Sequence, residues 1–366
     1  MTSAVPASRD FSTTIEVAQA QFDAEVTYLN TATMGLLPRC GWEALQQALT
    51  QWRAGTANPV AYDASLASAR TDFARLTGVD PATVAVGSQV SVFAGLVAAS
   101  LPAGSEVLTA TGDFTSILFP FHAQASRGVS VREVPLDQIA EAVTPDTALV
   151  SVSAVQSATG RVADLDALQE ACRSTGAKVL LDTTQAVGWL PVDASRFTYT
   201  VCGGYKWLLS PRGTAYFTVQ PGQQDALTPH HANWYAGEDP WSSIYGGPLR
   251  LARDARRFDV SPAWLSWIAA APVLAMLADI GVVALHEHAI GLANRFRAGL
   301  GLIAGDSAIV SVAVDAGAAE AIHAGRVVAA VRAGRLRLAF HLSTSEADVD
   351  HALRVLSPHV LAEHGG

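Results

Sequence analysis

Residues 200–219 read TVCGGYKWLLSPRGTAYFTV. Their one lysine, Lys206, stands among apolar and small residues. Desolvating an ammonium is costly, so a lysine is rarely buried without a reason. An apolar setting lowers the lysine pKa, and a neutral amine can attack an aldehyde. A strand-like run, 197–202, and the Gly203-Gly204 pair precede it. Pro211-Arg212-Gly213 and a second strand-like run, 214–219, follow. On this stretch alone, a lysine snorkelling from an apolar turn is the simpler reading.

The stretch upstream changes that. Residues 179–191 read VLLDTTQAVGWLP. An apolar run ending in Asp182 is the pattern of a buried parallel strand with an acid at its carboxyl end. A carboxylate able to hold a pyridine nitrogen protonated, followed by a lysine able to add to an aldehyde, suits pyridoxal 5′-phosphate (PLP).

With YLNTATMGLLP at 28–38 and the segment around Arg337, these pieces give the chain a resemblance to the class V aminotransferase family. This is the group of fold-type I PLP enzymes that includes cysteine desulfurases, kynureninases and isopenicillin N epimerase-like proteins. The resemblance spans nearly the whole chain and is most specific at Asp182 and Lys206. It implies the PLP-dependent transferase fold type I: a large domain with a mostly parallel sheet plus a small C-terminal α+β domain. The expected division is an N-terminal arm at 1–20, a PLP-binding domain at 21–262 and a small domain at 263–366, with the N-terminal segment free to pack on the latter. The alternation of strand-like and helical runs independently indicates an α/β sheet, mostly parallel.

Composition narrows the partners. The chain has 366 residues, 50% hydrophobic and 16% charged, enough for a continuous buried core. A net charge of −9 without a long basic run argues against nucleic acid and anionic membranes. Cys40, Cys172 and Cys202 are far apart and form no CxxC or zinc spacing, which suits a reducing cytoplasm. The first residues lack the basic-then-apolar pattern of a signal peptide. The apolar run 263–278 is interrupted by Ser266 and Pro272 and ended by Asp279, so it reads as a buried helix. His286 and His288 are splayed by a helix, and His230-His231 has no acidic or cysteine companion nearby, so no metal site is expected.

Along the chain, helices are expected at 42–52, 64–76, 136–143 and 164–174, the last an amphipathic surface helix carrying Cys172 in a structural role. Strands are expected near 106–109, 129–134 and 148–153. At 83–104 a strand meets Gly87-Ser88-Gln89 and a helix follows. Such a turn is an anion site, though Ser88 could serve simply as an N-cap. Residues 220–247, rich in Gly, Pro and aromatics, form a long loop of the kind that shapes a site.

The resemblance places the PLP phosphate at Ser88 and Gln89, with Tyr205 giving its hydroxyl to it and Ser261 reaching it from a neighbouring subunit. Phe114 takes the position where desulfurases carry a ring-stacking histidine. Ser157, Thr159 and Gln185 lie near the ring hydroxyl. Asn30, Thr31 and Ala32 line the substrate pocket. Arg337 is the substrate-carboxylate residue, while Arg335, on the same strand face, is read as a solvated or structural arginine. The two glycines and Tyr205 before the lysine depart from the desulfurase Ser-Gly-His and approach the kynureninase pattern.

The sequence therefore points to a homodimeric PLP enzyme acting on an α-amino acid, with Lys206 and Asp182 catalytic and aminotransferase-type chemistry foremost. Alternatives are a C–S or C–C lyase or an epimerase without a catalytic cysteine, and, in another class, a non-catalytic PLP-binding protein. No G-x-G-x-x-G follows the first strand, which disfavours a nicotinamide fold.

Overall fold

The computed structural model describes residues 14–361. The apolar runs that end in small or acidic residues become the strands of one seven-stranded sheet: β2 (Val84–Gly87), β3 (Glu106–Ala110), β4 (Ser130–Val134), β5 (Thr147–Ser153), β6 (Lys178–Asp182), β7 (Tyr199–Gly203) and β8 (Ala215–Val219). Their order is β2-β8-β7-β6-β5-β3-β4, and only β8 runs against the others. The carboxyl ends of β2, β3, β5, β6 and β7 thus open on one edge, where an open α/β sheet places its ligands.

Helices α2 (Arg39–Arg53), α3 (Pro59–Thr77), α4 (Val90–Ser100), α5 (Thr115–His122) and α6 (Leu165–Thr175) cover this sheet. Asn58 and Asp164 cap α3 and α6 with their side chains, and Gly78 and Gly176 end them in the left-handed conformation. Helix α7 (Trp264–Ile280) carries the most apolar run, and it packs on α2 and α3 in a cluster with Phe73, Tyr216 and Leu274. No single described helix is long and apolar enough to cross a membrane.

A second core lies between α8 (Val282–Gly299), α10 (Glu346–Leu356) and an antiparallel sheet of β11 (Ala330–Arg332), β12 (Arg335–Ala339) and β9 (Ile309–Val312). The N-terminal segment joins it. Strand β1 (Thr27–Tyr28) pairs with β10 (Val327–Val328), Leu29 is buried in this core, and Asn30 bridges Ala339. Helix α1 (Ile15–Gln19) lies within the expected arm and is tied to Thr344 through the Gln19 amide, 2.8 Å; the rest of the arm, residues 1–13, lies outside the described residues. Helix α9 (Ala318–Ala324) completes the layer.

One local expectation fails. The helix expected at 136–143 is only a 3₁₀ turn, Leu136–Gln138. Eight residues burying little beyond Leu136 and Ile139 do not offset the cost of helix nucleation. Cys172 has the structural place expected of it: it lies one turn after Leu168 on the inner face of α6 and is 4% exposed. Burial pushes its thiol pKa up to about 11.

Candidate active site

Lys206 lies in the turn between β7 and β8 and is 5% exposed. The turn is built tightly. Leu209 takes a left-handed φ of 52° and its N–H closes back on the Lys206 carbonyl, 3.1 Å. Gly35 and Gly188 press against the turn from either side. A Cβ on Gly35 would collide with the Lys206 carbonyl oxygen, and one on Gly188 with that of Trp207. Gly188 also has φ 114°, which only glycine adopts comfortably. The Gly35 N–H donates to the Tyr205 carbonyl, 2.9 Å, and buried His341 holds the Trp207 carbonyl at 2.8 Å through Nε2.

Among the described residues the Lys206 ammonium has no hydrogen bond or ion pair; its Nζ sits 5.0 Å from the Phe114 ring centroid and 5.6 Å from that of Tyr205. Burial lowers its pKa to about 8, opposed by Asp182 and assisted by the positive charges of Arg337 and Arg212. Asp182 ends β6 and is 4% exposed. Burial raises its pKa to about 6, against a hydrogen bond from Thr184 and the charge of Lys206. The Thr184 N–H donates to its Oδ1 at 2.8 Å.

Phe114 is 42% exposed, which excludes a core role for its ring. Its backbone is fixed by Asp113, a residue that sequence reasoning passed over. The Asp113 carboxylate accepts from the N–H of Phe114 (2.6 Å), the N–H and hydroxyl of Ser153 (2.8 and 2.5 Å) and the Gln156 amide (3.1 Å). The polar letters T-G-D before Phe114 were the only signal for it.

Ser88 is partly exposed beyond β2, and the N-cap of α4 is Gln89, not Ser88. The exposed Gln89 side chain makes no capping bond to the amide end of α4. Ser261 is exposed beside it, because the Val260 N–H donates to Val86 at the end of β2. The buried Arg70–Asp259 pair, 2.7 Å, pins this segment, with Asp259 also accepting from the Val86 N–H at 2.8 Å. The Arg212 guanidinium, read from the sequence only as part of the Pro-Arg-Gly turn, lies 4.4 Å over the Tyr205 ring.

Gln185 is fully engaged. Its amide donates to the Ala32 carbonyl (2.9 Å) and to Ser157 Oγ (3.0 Å), and its oxygen accepts from the Trp207 indole (2.7 Å). Ser157 in turn accepts from Arg337, whereas Thr159 is exposed and accepts from the Arg161 N–H. Arg337 is 1% exposed and comes from β12, across the cleft. Its guanidinium donates to the Ser157 carbonyl (2.5 Å) and to Thr33 Oγ1 (2.7 Å), its Nε has no partner, and no described carboxylate pairs with it. Burial, then the charge of Arg332, lowers its pKa to about 10. Arg335 is instead bonded to Ser311 of β9. Asn30 Oδ1 and Thr31 Oγ1 are buried without partners nearby. Among the described residues no cluster of His, Cys, Asp and Glu could hold a metal.

One cleft therefore gathers a buried unpaired amine, a buried carboxylate, a half-exposed aromatic ring and a buried arginine lacking an anion. Ring contacts, charge and hydrogen bonds link Lys206 to Phe114, Tyr205 and Asp182, and Arg337 to Ser157 and Gln185, whereas Thr159 is turned away and Ser88, Gln89 and Ser261 lie at the edge. The chain is a member of a family: the model for aminotransferase class-V matches residues 27–319. This family binds PLP, and its members are PLP-dependent enzymes.

More particular likenesses are to individual proteins. An uncharacterized aminotransferase, YcbU, of Bacillus subtilis (strain 168) is 30% identical over 78% of this chain and 81% of its own. Isopenicillin N epimerase of Streptomyces clavuligerus is 33% identical over 66% and 63%, and kynureninase of Deinococcus radiodurans 28% over 76% and 72%. In fold, the chain is similar to the cystine C-S lyase C-DES in complex with its product cysteine persulfide, with a TM-score of 0.82 at 23% identity over 92% of this chain and 98% of that one.

Proposed function

We propose that this chain is a PLP-dependent enzyme acting on an α-amino acid, with aminotransferase-type chemistry. The observation that carries the reading is the pair of buried cations left unmatched: Lys206 without an acceptor and Arg337 without a carboxylate. Such groups are costly to bury, and their cost is offset when ligand arrives.

The donors present fit the cofactor. Lys206 is poised to hold its aldehyde, Asp182 its ring nitrogen, Phe114 its ring face, and the amide end of α4 with Ser88, Gln89 and Tyr205 its phosphate. When bound, PLP supplies an electron sink for the substrate's α-carbon. The chain's own residues do the rest. Asp182 keeps a proton at the ring nitrogen. Arg337 binds the substrate carboxylate and orients the α-carbon, and Asn30 and Thr31 offer acceptors beside it. Lys206, with its pKa brought to about 8, moves the α-proton near neutral pH. Gln185, engaged with Trp207 and Ser157, fixes Lys206 and Arg337 relative to each other.

The test is a screen of amino acids against the purified yellow protein, following the cofactor spectrum with and without 2-oxo acids. Turnover that requires a 2-oxo acid supports transamination. Pyruvate and ammonia released without an acceptor would replace it with the lyase reading, which the likeness to kynureninase and Tyr205 before the lysine favour. No spectral response to any amino acid would leave a non-catalytic binding protein.

We further propose that the active unit is a homodimer in which Ser261 reaches the partner's phosphate site. An apolar hollow of about 520 Å³ lined by Trp52, Tyr62, Trp264 and Leu265 lies beside Ser261, with Trp52 65% exposed. Such a patch is costly on a lone monomer. Sedimentation should find a dimer, and a monomer with full activity at assay dilution would refute this.

The chain is not proposed as a persulfide-forming desulfurase. That chemistry needs an accessible thiolate. Cys172 and Cys202 are buried, and burial also raises the Cys40 and Cys202 thiols. After incubation with cysteine, mass spectrometry should find no added sulfur. A stoichiometric persulfide, with activity lost when its cysteine becomes serine, would overturn this.

A further inference from the structure

Arg337 is not the only guanidinium on Thr33. Thr33 Oγ1 accepts from Arg337 at 2.7 Å and from Arg332 at 3.3 Å. Their terminal nitrogens therefore lie within roughly 6 Å of each other, by these hydrogen-bond lengths. Arg332 closes β11 at the β11–β12 turn, where Ala333 and Gly334 take left-handed φ of 48° and 75°. Its side chain is exposed, yet its fork is held: one end donates to its own strand at the Val331 carbonyl, 2.8 Å, the other to Thr33.

Neither arginine has a carboxylate partner among the described residues. Carboxylates are not scarce in this chain: 33 Asp and Glu stand against 24 Lys and Arg. Several other arginines are matched, Arg70 by Asp259, Arg132 by Glu106, Arg295 by Glu346 and Asp350, and what sets Arg332 and Arg337 apart is that they meet on one hydroxyl. The like charge of Arg332 also disfavours the charged form of Arg337. Two neighbouring guanidiniums without a counter-charge, in an acidic chain, form a receptor for two negative charges. One α-carboxylate answers only one of them. In a four- or five-carbon dicarboxylic amino acid the two carboxyl carbons lie roughly 4–5 Å apart by bond lengths, which fits this spacing.

We propose that Arg332 binds a second carboxylate on the substrate's side chain, so that the site selects acidic α-amino acids. The proposal rests on the reading of Arg337 as the α-carboxylate residue. Arg332 sits at the exposed mouth and sets specificity, while Arg337 is common to every amino acid that binds.

The test titrates the PLP-loaded protein with aspartate, glutamate, asparagine, glutamine and alanine, reading the shift of the cofactor's absorbance as binding. The acids should bind at least about tenfold more tightly than their amides. Arg332→Gln should erase that ratio and leave amide and alanine binding as it was. Arg332→Glu should invert the ratio. A melting curve for each variant shows that it folds. Equal binding of acids and amides by the unaltered protein overturns the proposal, as does a ratio that survives Arg332→Gln. In both cases amino acids still shift the spectrum, so the reading of the site as an amino-acid site stands. A cofactor that responds to none of the five overturns both.

Discussion

Replacing Lys206 by methionine is expected to abolish turnover and, in the cofactor-free protein, to raise stability. The two effects have one cause. The lysine is 5% exposed and its pKa is brought down to about 8, chiefly by burial. Between pH 8 and the unfolded value of 10.5 the unfolded chain binds the extra proton, so stability rises with pH through that window. Below pH 8 the whole penalty is present. A depression of this size corresponds to roughly 3 kcal/mol. Methionine is similar in length and carries no charge. The apo variant should therefore unfold at higher denaturant than the apo wild type at pH 7, and lose that advantage above about pH 10.5.

Catalysis should move the other way. A lost nucleophile that also transfers the proton removes far more than the 10²–10⁴-fold typical of a proton-transfer residue alone. Borohydride should fix PLP to the wild-type chain at residue 206 and fail to fix it in the variant. A peptide map that finds the adduct on another lysine sinks the assignment.

What made this site legible was local. An apolar strand ending in Asp182 and a lysine between glycines and a Pro-Arg-Gly turn are patterns within a few residues, and each maps onto one strand end of one sheet edge. The parallel order followed from strand and helix alternation, and β8, reversed behind the lysine turn, is the exception that the two flanking strand runs could not reveal. What stayed hidden depends on chain segments far apart in sequence. Thr33 meets Arg332 and Arg337 across about three hundred residues. His341 reaches back to the Trp207 carbonyl from the other core. The Asp113 network joins two strands through one carboxylate.

Asp182→Asn is expected to keep the cofactor and lose most turnover. Asparagine has the same shape and can still accept from the Thr184 N–H, now at 2.8 Å from Oδ1. The lysine, the α4 amide end and Phe114 are untouched, so PLP should still bind and still colour the protein. What is lost is the negative charge facing the ring nitrogen. A neutral amide does not hold a pyridine proton at neutral pH, so electron withdrawal from the α-carbon weakens. Removing one buried electrostatic contact of this kind typically costs on the order of 10²–10³ in turnover. The apo protein again supplies an independent sign. The Asp182 pKa is raised to about 6, mainly by burial, so the folded chain binds the extra proton between pH 3.8 and 6 and loses stability as pH rises through that window. Above pH 6 the cost is complete, and the uncharged asparagine should make the apo variant the more stable form at pH 7. Unchanged turnover in a variant that binds PLP would remove Asp182 from the ring nitrogen, whatever its effect on stability.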